Sequence, residues 1–213
     1  MPMYKGARPR IVPLLIAIVV IALIIAALVS LGRMLFANNT SSTSQTQQAS
    51  ASDQIRSDVL NTADGRAVRF TERGPIVANE NFKSYQIFIT PSSRTYTTYK
   101  GYLAEVVDTK QYTNNTRAYE EFAYALDKAA VSGVRDAQGN DDIRGVCATN
   151  GRVYLFETVN SGTATHSLWT STCAQSKGTM AADVAKIRAL FVNQVPDFNV
   201  QYLAPVQSAT TLF

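Results

Sequence analysis

The chain predicts an α+β domain with a mainly antiparallel sheet and about three helices, carried behind an N-terminal transmembrane helix. Three observations lead there. Ile11 to Leu31 reads IVPLLIAIVVIALIIAALVSL, 21 residues without a charge. A polar, low-complexity segment follows it. Beyond that segment, strand-like runs come in groups separated by helical patterns, without the strict alternation of a parallel βαβ fold.

At 1.5 Å of rise per residue the apolar run makes a helix of roughly 30 Å, the thickness of a bilayer's hydrocarbon core. Pro13 is tolerated because the first turn has no intrahelical bond for its nitrogen to lose. Lys5, Arg8 and Arg10 precede the run and Arg33 alone follows it, so the N-terminus is expected in the cytoplasm and the remainder outside. A cleaved signal fits less well. Its apolar region is about 7 to 15 residues and ends at small residues, whereas this run continues into Met34, Leu35 and Phe36, and Leu35-Phe36-Ala37 carries bulk at the cleavage position. A type IV pilin leader is also excluded, since no glutamate begins the run.

The expected organisation is a basic tail at 1–10, a transmembrane helix at 11–36, a linker at 37–52 and an extracytoplasmic domain at 53–213. The linker's NNTSSTSQTQQASAS, from Asn38 to Ser52, has no charge and no aromatic residue. Such a composition cannot bury enough apolar surface to offset the entropy of ordering it. Asn38 and Asn39 each begin a glycosylation sequon, as does Asn114.

The net charge of +4 is a topology signal and not a ligand signal. Four of the 20 basic residues flank the span, leaving 16 against 16 acidic ones in the domain. No block of like charge remains to bind nucleic acid or another polyanion.

Within the domain, Ile55, Val59 and Leu60 share one helical face, and Asp64-Gly65 ends that element. Strands follow at Arg66 to Arg73, with Val68 and Phe70 alternating with Arg69 and Thr71, at Ser84 to Thr90, and at Arg94 to Asp108. Gly74-Pro75 and Pro91-Ser92-Ser93 separate them. Asn115 or Thr116 can cap a helix in which Tyr119, Phe122, Leu126 and Ala130 repeat, with Gly133 placed to stop it. Val153 to Val159 and Ser167 to Thr172 form a second strand pair around Asn160-Ser161-Gly162. A last helix spans Met180 to Gln194, burying Ile187, Leu190 and Phe191, and Asn199 to Leu203 adds a final strand.

The chemistry is sparse. His166, the only histidine, falls at the turn of the second hairpin and has no Gly-x-Ser-x-Gly elbow to serve. Cys147, His166 and Cys173 lack the paired close spacing of a structural zinc site. Asp141-Asp142 lacks the alternating oxygen ligands of a calcium loop. Phosphate-binding glycine patterns are absent. No catalytic, cofactor or metal site is therefore expected. The only two cysteines, Cys147 and Cys173, bracket the second hairpin in an exported segment, which predicts a disulfide. Trp169 reads as half-buried packing on its strand. Tyr96, Tyr99 and Tyr102, with threonines between them, form a possible recognition surface.

Leu168-Trp169-Thr170-Ser171-Thr172-Cys173 resembles the strand-end Thr-Leu-x-Thr-Cys of sortases. That likeness would make Cys173 a thiolate nucleophile and Arg188 an oxyanion partner. His166, seven residues before the cysteine, is badly placed as the third member, and the motif's leucine is missing. Gly145-Val146-Cys147, the same Leu168-to-Cys173 run, Lys177-Gly178-Thr179 and Leu190-Phe191 with Gln194-Val195-Pro196-Asp197 resemble uncharacterised membrane-anchored surface proteins of Saccharibacteria-type bacteria. That resemblance implies the layout and brings no activity. The order of strands, helix, hairpin and helix also resembles small metalloprotease-inhibitor domains of the emfourin type, in arrangement only.

The expectation is a single-pass cell-membrane protein, held in the bilayer by residues 11–36. Its outer domain binds a protein or an envelope polymer without catalysis or cofactor. A sortase-like transpeptidase using Cys173 and an inhibitor-like binding domain are the alternatives. The sequence leaves the oligomeric state open.

Overall fold

The computed structural model describes residues 50–136, 151–173 and 176–203. The expected transmembrane helix lies outside them. No helix among the described residues is long and apolar enough to cross a membrane.

A six-stranded sheet, antiparallel at every pairing, organises the domain: β1 (Arg66–Arg73), β2 (Lys83–Ile89), β3 (Ser93–Lys100), β4 (Glu105–Thr113), β5 (Val153–Asn160) and β6 (Thr163–Ser171). Their order across the sheet is β4-β3-β2-β1-β5-β6. Three helices accompany it: α1 at 50–60, α2 (Thr116–Lys128) and α3 (Val184–Val192). Helix α1 already includes Ser50, Ala51 and Ser52, assigned by composition to the linker. Small residues with no helix-breaking backbone can supply the turn that precedes Ile55.

One face of the sheet carries the core. Val68 and Phe70 of β1, Tyr85, Ile87 and Ile89 of β2, Tyr96 of β3 and Phe156 of β5 are buried against Ile55 and Val59 of α1, Tyr119, Phe122 and Leu126 of α2, and Ile187 and Phe191 of α3. Alternation with period two sets the strand faces, and the apolar stripes of the helices match them. Leu190 is only partly buried at the edge of this cluster.

Several sequence expectations shift in the folded domain. The expected strand from Arg94 to Asp108 is two strands of a hairpin, broken by residues 101–104 with positive φ at Gly101 (73°) and Ala104 (55°). Its continuous run of Tyr, Thr and Val hid the turn. Helix α2 takes Asn115 as its cap, whose side chain accepts from the Ala118 N–H, but ends at Lys128. Ala130 adopts φ 55° and reverses the chain before Gly133 is reached. Met180 lies outside α3, buried beside Val134 in an isolated bridge, and Asp183 caps the helix. Residues 199–203 form turns and no strand. The β5–β6 hairpin closes on Ser161 and Gly162, at φ 49° and 84°, the pair of positive angles that a tight hairpin turn requires.

Candidate functional site

Glu72 is the most unusual residue of the domain. It continues the buried face of β1 two positions after Phe70, and it is 1% exposed. A charge there requires partners, because an unpaired buried carboxylate is costly. It has three. Its Oε1 accepts from Arg152 Nη1 at 2.7 Å, and its Oε2 accepts from Arg188 Nε at 2.6 Å. The Tyr85 hydroxyl donates to the same Oε2.

Register builds this cluster. Glu72 stands opposite Tyr85 on β2 and Tyr154 on β5, Arg152 enters β5, and Arg188 reaches down from α3. Burial, and then the charge of Glu72, push the Tyr85 hydroxyl far above its ordinary value, so it stays a neutral donor. Burial and Glu72 raise Tyr154 as well. For Arg188, burial works most strongly against the charge, but the bond to Glu72 together with the electrostatic attraction of Tyr85, Glu72 and Tyr154 outweighs it, and the guanidinium is held above its usual value. Arg152 also donates to the Leu203 carbonyl at 3.3 Å, and Arg188 lies over the Phe198 ring. With both oxygens occupied and the carboxylate itself buried, Glu72 is a clasp joining β1, β2, β5, α3 and the chain's return. It is not a free base. The only signal in the sequence was a glutamate at an apolar-face position of a strand.

A second cluster surrounds Asp58 of α1. It accepts from Arg66 at 2.9 Å and from Thr165 at 2.8 Å, and His166 Nε2 lies 3.5 Å away. His166 is thus within β6, opposite Thr158, and not in the turn. Residues 161–162 make the turn alone, which moves the histidine into the strand.

A cleft of about 400 Å³ opens at the lower end of the sheet, where the α1–β1, β2–β3 and β5–β6 turns meet the start of α2. Its polar groups serve the turns. Thr90 Oγ1 accepts from the Ser93 N–H at 2.8 Å, and Arg66 is committed to Asp58. No cluster of three metal-ligating acidic, histidine or cysteine residues occurs among the described residues.

The sortase-like constellation does not assemble. His166 and Cys173 are seven residues apart along an extended segment, roughly 20 Å. Arg188 is bound to Glu72. Cys173 is not a free thiol. Cys147, like Asp141-Asp142, lies outside the described residues. Cys147 is the expected partner of Cys173. Mass spectrometry of the non-reduced, alkylated protein should find neither cysteine labelled. Replacing both cysteines by serine should cost about 3.5 kcal/mol in the chain-entropy model. Two alkylated cysteines would refute the bridge.

The tyrosines expected to share a surface separate. Tyr96 is 2% exposed on the core face, where burial pushes its hydroxyl up to about 12. The period of the strand sends it to the face opposite Tyr99. Tyr102, in the β3–β4 turn, stacks on Phe82 at 4.2 Å and donates to the Val77 carbonyl at 2.6 Å. Asn114 uses its side-chain amide to reach the Thr90 carbonyl at 2.7 Å, so a sugar there would displace a structural bond.

The other face of the sheet bears no helix among the described residues. Strand register lays its side chains out in rows. One runs Thr97, Gln86, Thr71, Leu155 and Trp169, and the next runs Thr95, Phe88, Arg69, Glu157 and Ser167. Arg69 and Glu157 pair at 2.7 Å across the middle. Phe88, Tyr99, Leu155 and Trp169 are half-buried there. Trp169 is steadied by Gly178, where a side-chain carbon would come within 2.5 Å of its ring. No protein-family model matches the chain, and no curated protein matches it significantly.

Proposed function

We propose that the chain is a single-pass surface protein of the cell membrane. Its outer domain binds a protein or envelope polymer through the helix-free face of the sheet and catalyses no reaction. The observation that carries this reading is the composition of that face. Half-buried Phe88, Tyr99, Leu155 and Trp169 stand among threonine, serine and glutamine side chains. Antiparallel sheets keep one face for water, and aromatic residues amid short hydroxyl groups provide contact area at little entropic cost. The titratable clusters, in contrast, are satisfied internally. Anchoring rests on the uncharged run from Ile11 to Leu31 and the basic residues before it.

Protease added to intact cells should cut near residues 38–49 and release a soluble domain. Protection until lysis would reverse the orientation. The full chain, extracted in mild detergent, should capture envelope material. Phe88→Lys with Leu155→Lys should weaken that capture by about tenfold or more, as loss of interface anchors does. Tyr124→Lys, on the outer side of α2, should leave it unchanged. Equal capture by both variants would remove the partner from this face.

A further inference from the structure

Seven large apolar side chains are exposed among the described residues, and they are not scattered. Leu103 is 97% exposed and Tyr102 49%, both in the β3–β4 turn. Val106 and Val107 begin β4, and Val77 lies in the β1–β2 connection beside Tyr102. Val200 follows Phe198, which packs on Tyr85, and precedes Tyr202, whose hydroxyl reaches the Tyr99 carbonyl. Six of the seven therefore gather at the upper end of the sheet, the end bearing the β1–β2 and β3–β4 connections. Tyr124 of α2 is the exception.

We propose that this upper end docks on the outer surface of the lipid bilayer, with the Tyr102–Leu103 tip inserted at the boundary between headgroups and acyl chains. This inference rests on the anchored reading above. Three features of the chain select lipid as the occupant. First, on the anchored reading only residues 37–49 separate the membrane segment at 11–36 from α1, a short tether. Second, α1 joins β1 through a short turn at the lower end, and Arg56 pairs with Asp127 near the upper end of α2. The chain thus enters α1 from the upper side. Third, the same end carries Arg73, Lys83 and Lys100 against Glu80 and Glu105. That is a slight cationic surplus around an apolar, tyrosine-bearing tip, the composition of an interfacial anchor.

Pairing of the exposed β4 edge with a second copy is less well served. The edge is interrupted by a bulge at Val107, opposite Thr98 and Tyr99 of β3, and carries Asp108 and Lys110. The hairpin tip also projects beyond any flat sheet-to-sheet contact.

The test uses the full chain reconstituted in phosphatidylcholine/phosphatidylglycerol vesicles, with tryptophan probes read against the unchanged protein, whose Trp169 supplies the background. Leu103→Trp and Val200→Trp should gain emission quenched by lipids spin-labelled near the headgroup. Their quenching should exceed that of Tyr124→Trp by about twofold or more, since insertion of 5–10 Å brings the tip to quencher depth. All three positions are exposed, so the fold should tolerate the changes. Equal quenching at 103 and 124, or none at 103 in chains that float with the vesicles, would overturn the docking. A probe at 103 that is shielded only as protein density rises would also overturn it, in favour of self-association. Chains that do not float with the vesicles would instead sink the anchored reading on which it rests.

Discussion

Glu72→Ala should destabilise the domain by about 3 kcal/mol, the lower part of the range for breaking a buried ion pair. The variant strands two guanidinium groups and the Tyr85 hydroxyl at once, and it leaves a gap on the core face of β1. The arginine side chains retain 28% and 29% exposure, which gives each a route to water and keeps the loss from the top of the range. Urea denaturation reads the effect as a lower midpoint at unchanged slope. A cycle with Arg188→Ala should then show strong coupling, because the two residues share one contact. A loss below about 1 kcal/mol would mean that the clasp is a surface pair in energetic terms. Replacing Glu72, Arg152 and Arg188 together by apolar residues is a separate matter. Such replacement of a whole buried ionic group is often neutral or stabilising.

Phe191→Ala should cost about 3–5 kcal/mol, the range for deleting a buried aromatic ring. Phe191 is fully buried, stacks on Phe70 at 5.1 Å, meets Phe122 edge-on at 5.2 Å and approaches Phe156 at 6.1 Å. It is the point where α3 is locked to both α2 and the sheet. Truncation before Thr179 removes this contact together with Ile187, Val195 and the Arg188 half of the clasp, so it should yield insoluble chain. A Phe191→Ala protein with an unchanged midpoint, or a truncated chain that stays monomeric and unfolds as before, would make α3 peripheral.

The class of the domain was legible in local pattern. Alternation at Val68 and Phe70, the spacing of Tyr119, Phe122 and Leu126, and the Asn-Ser-Gly turn at 160–162 each report a single element, and each element formed. Errors arose where a local signal had a tertiary competitor. The β3–β4 turn was missed because Gly101 alone interrupts a strand-like run, and α2 stopped early because Ala130 took the left-handed angle expected of Gly133. Met180 matches the α3 stripe, yet it is buried in a bridge to Val134.

By itself, the sequence determined that this chain makes an α+β domain with antiparallel pairing, and where β1, β2 and β5 and the start of α2 lie to within a residue. Those properties depend on neighbours within a few positions, where backbone sterics and side-chain period act. The tertiary structure alone decided what the charged and aromatic residues do. Glu72 became the centre of a clasp because strand register set Tyr85 beside it and chain reversal delivered Arg152 and Arg188, 80 and 116 residues away. Tyr96 and Tyr99, three positions apart, parted to opposite faces of the sheet. Six exposed apolar side chains gathered at one end because two connections and the returning C-terminal turn lie there. Such neighbourhoods arise from long-range packing, and residue order records no distance across a sheet.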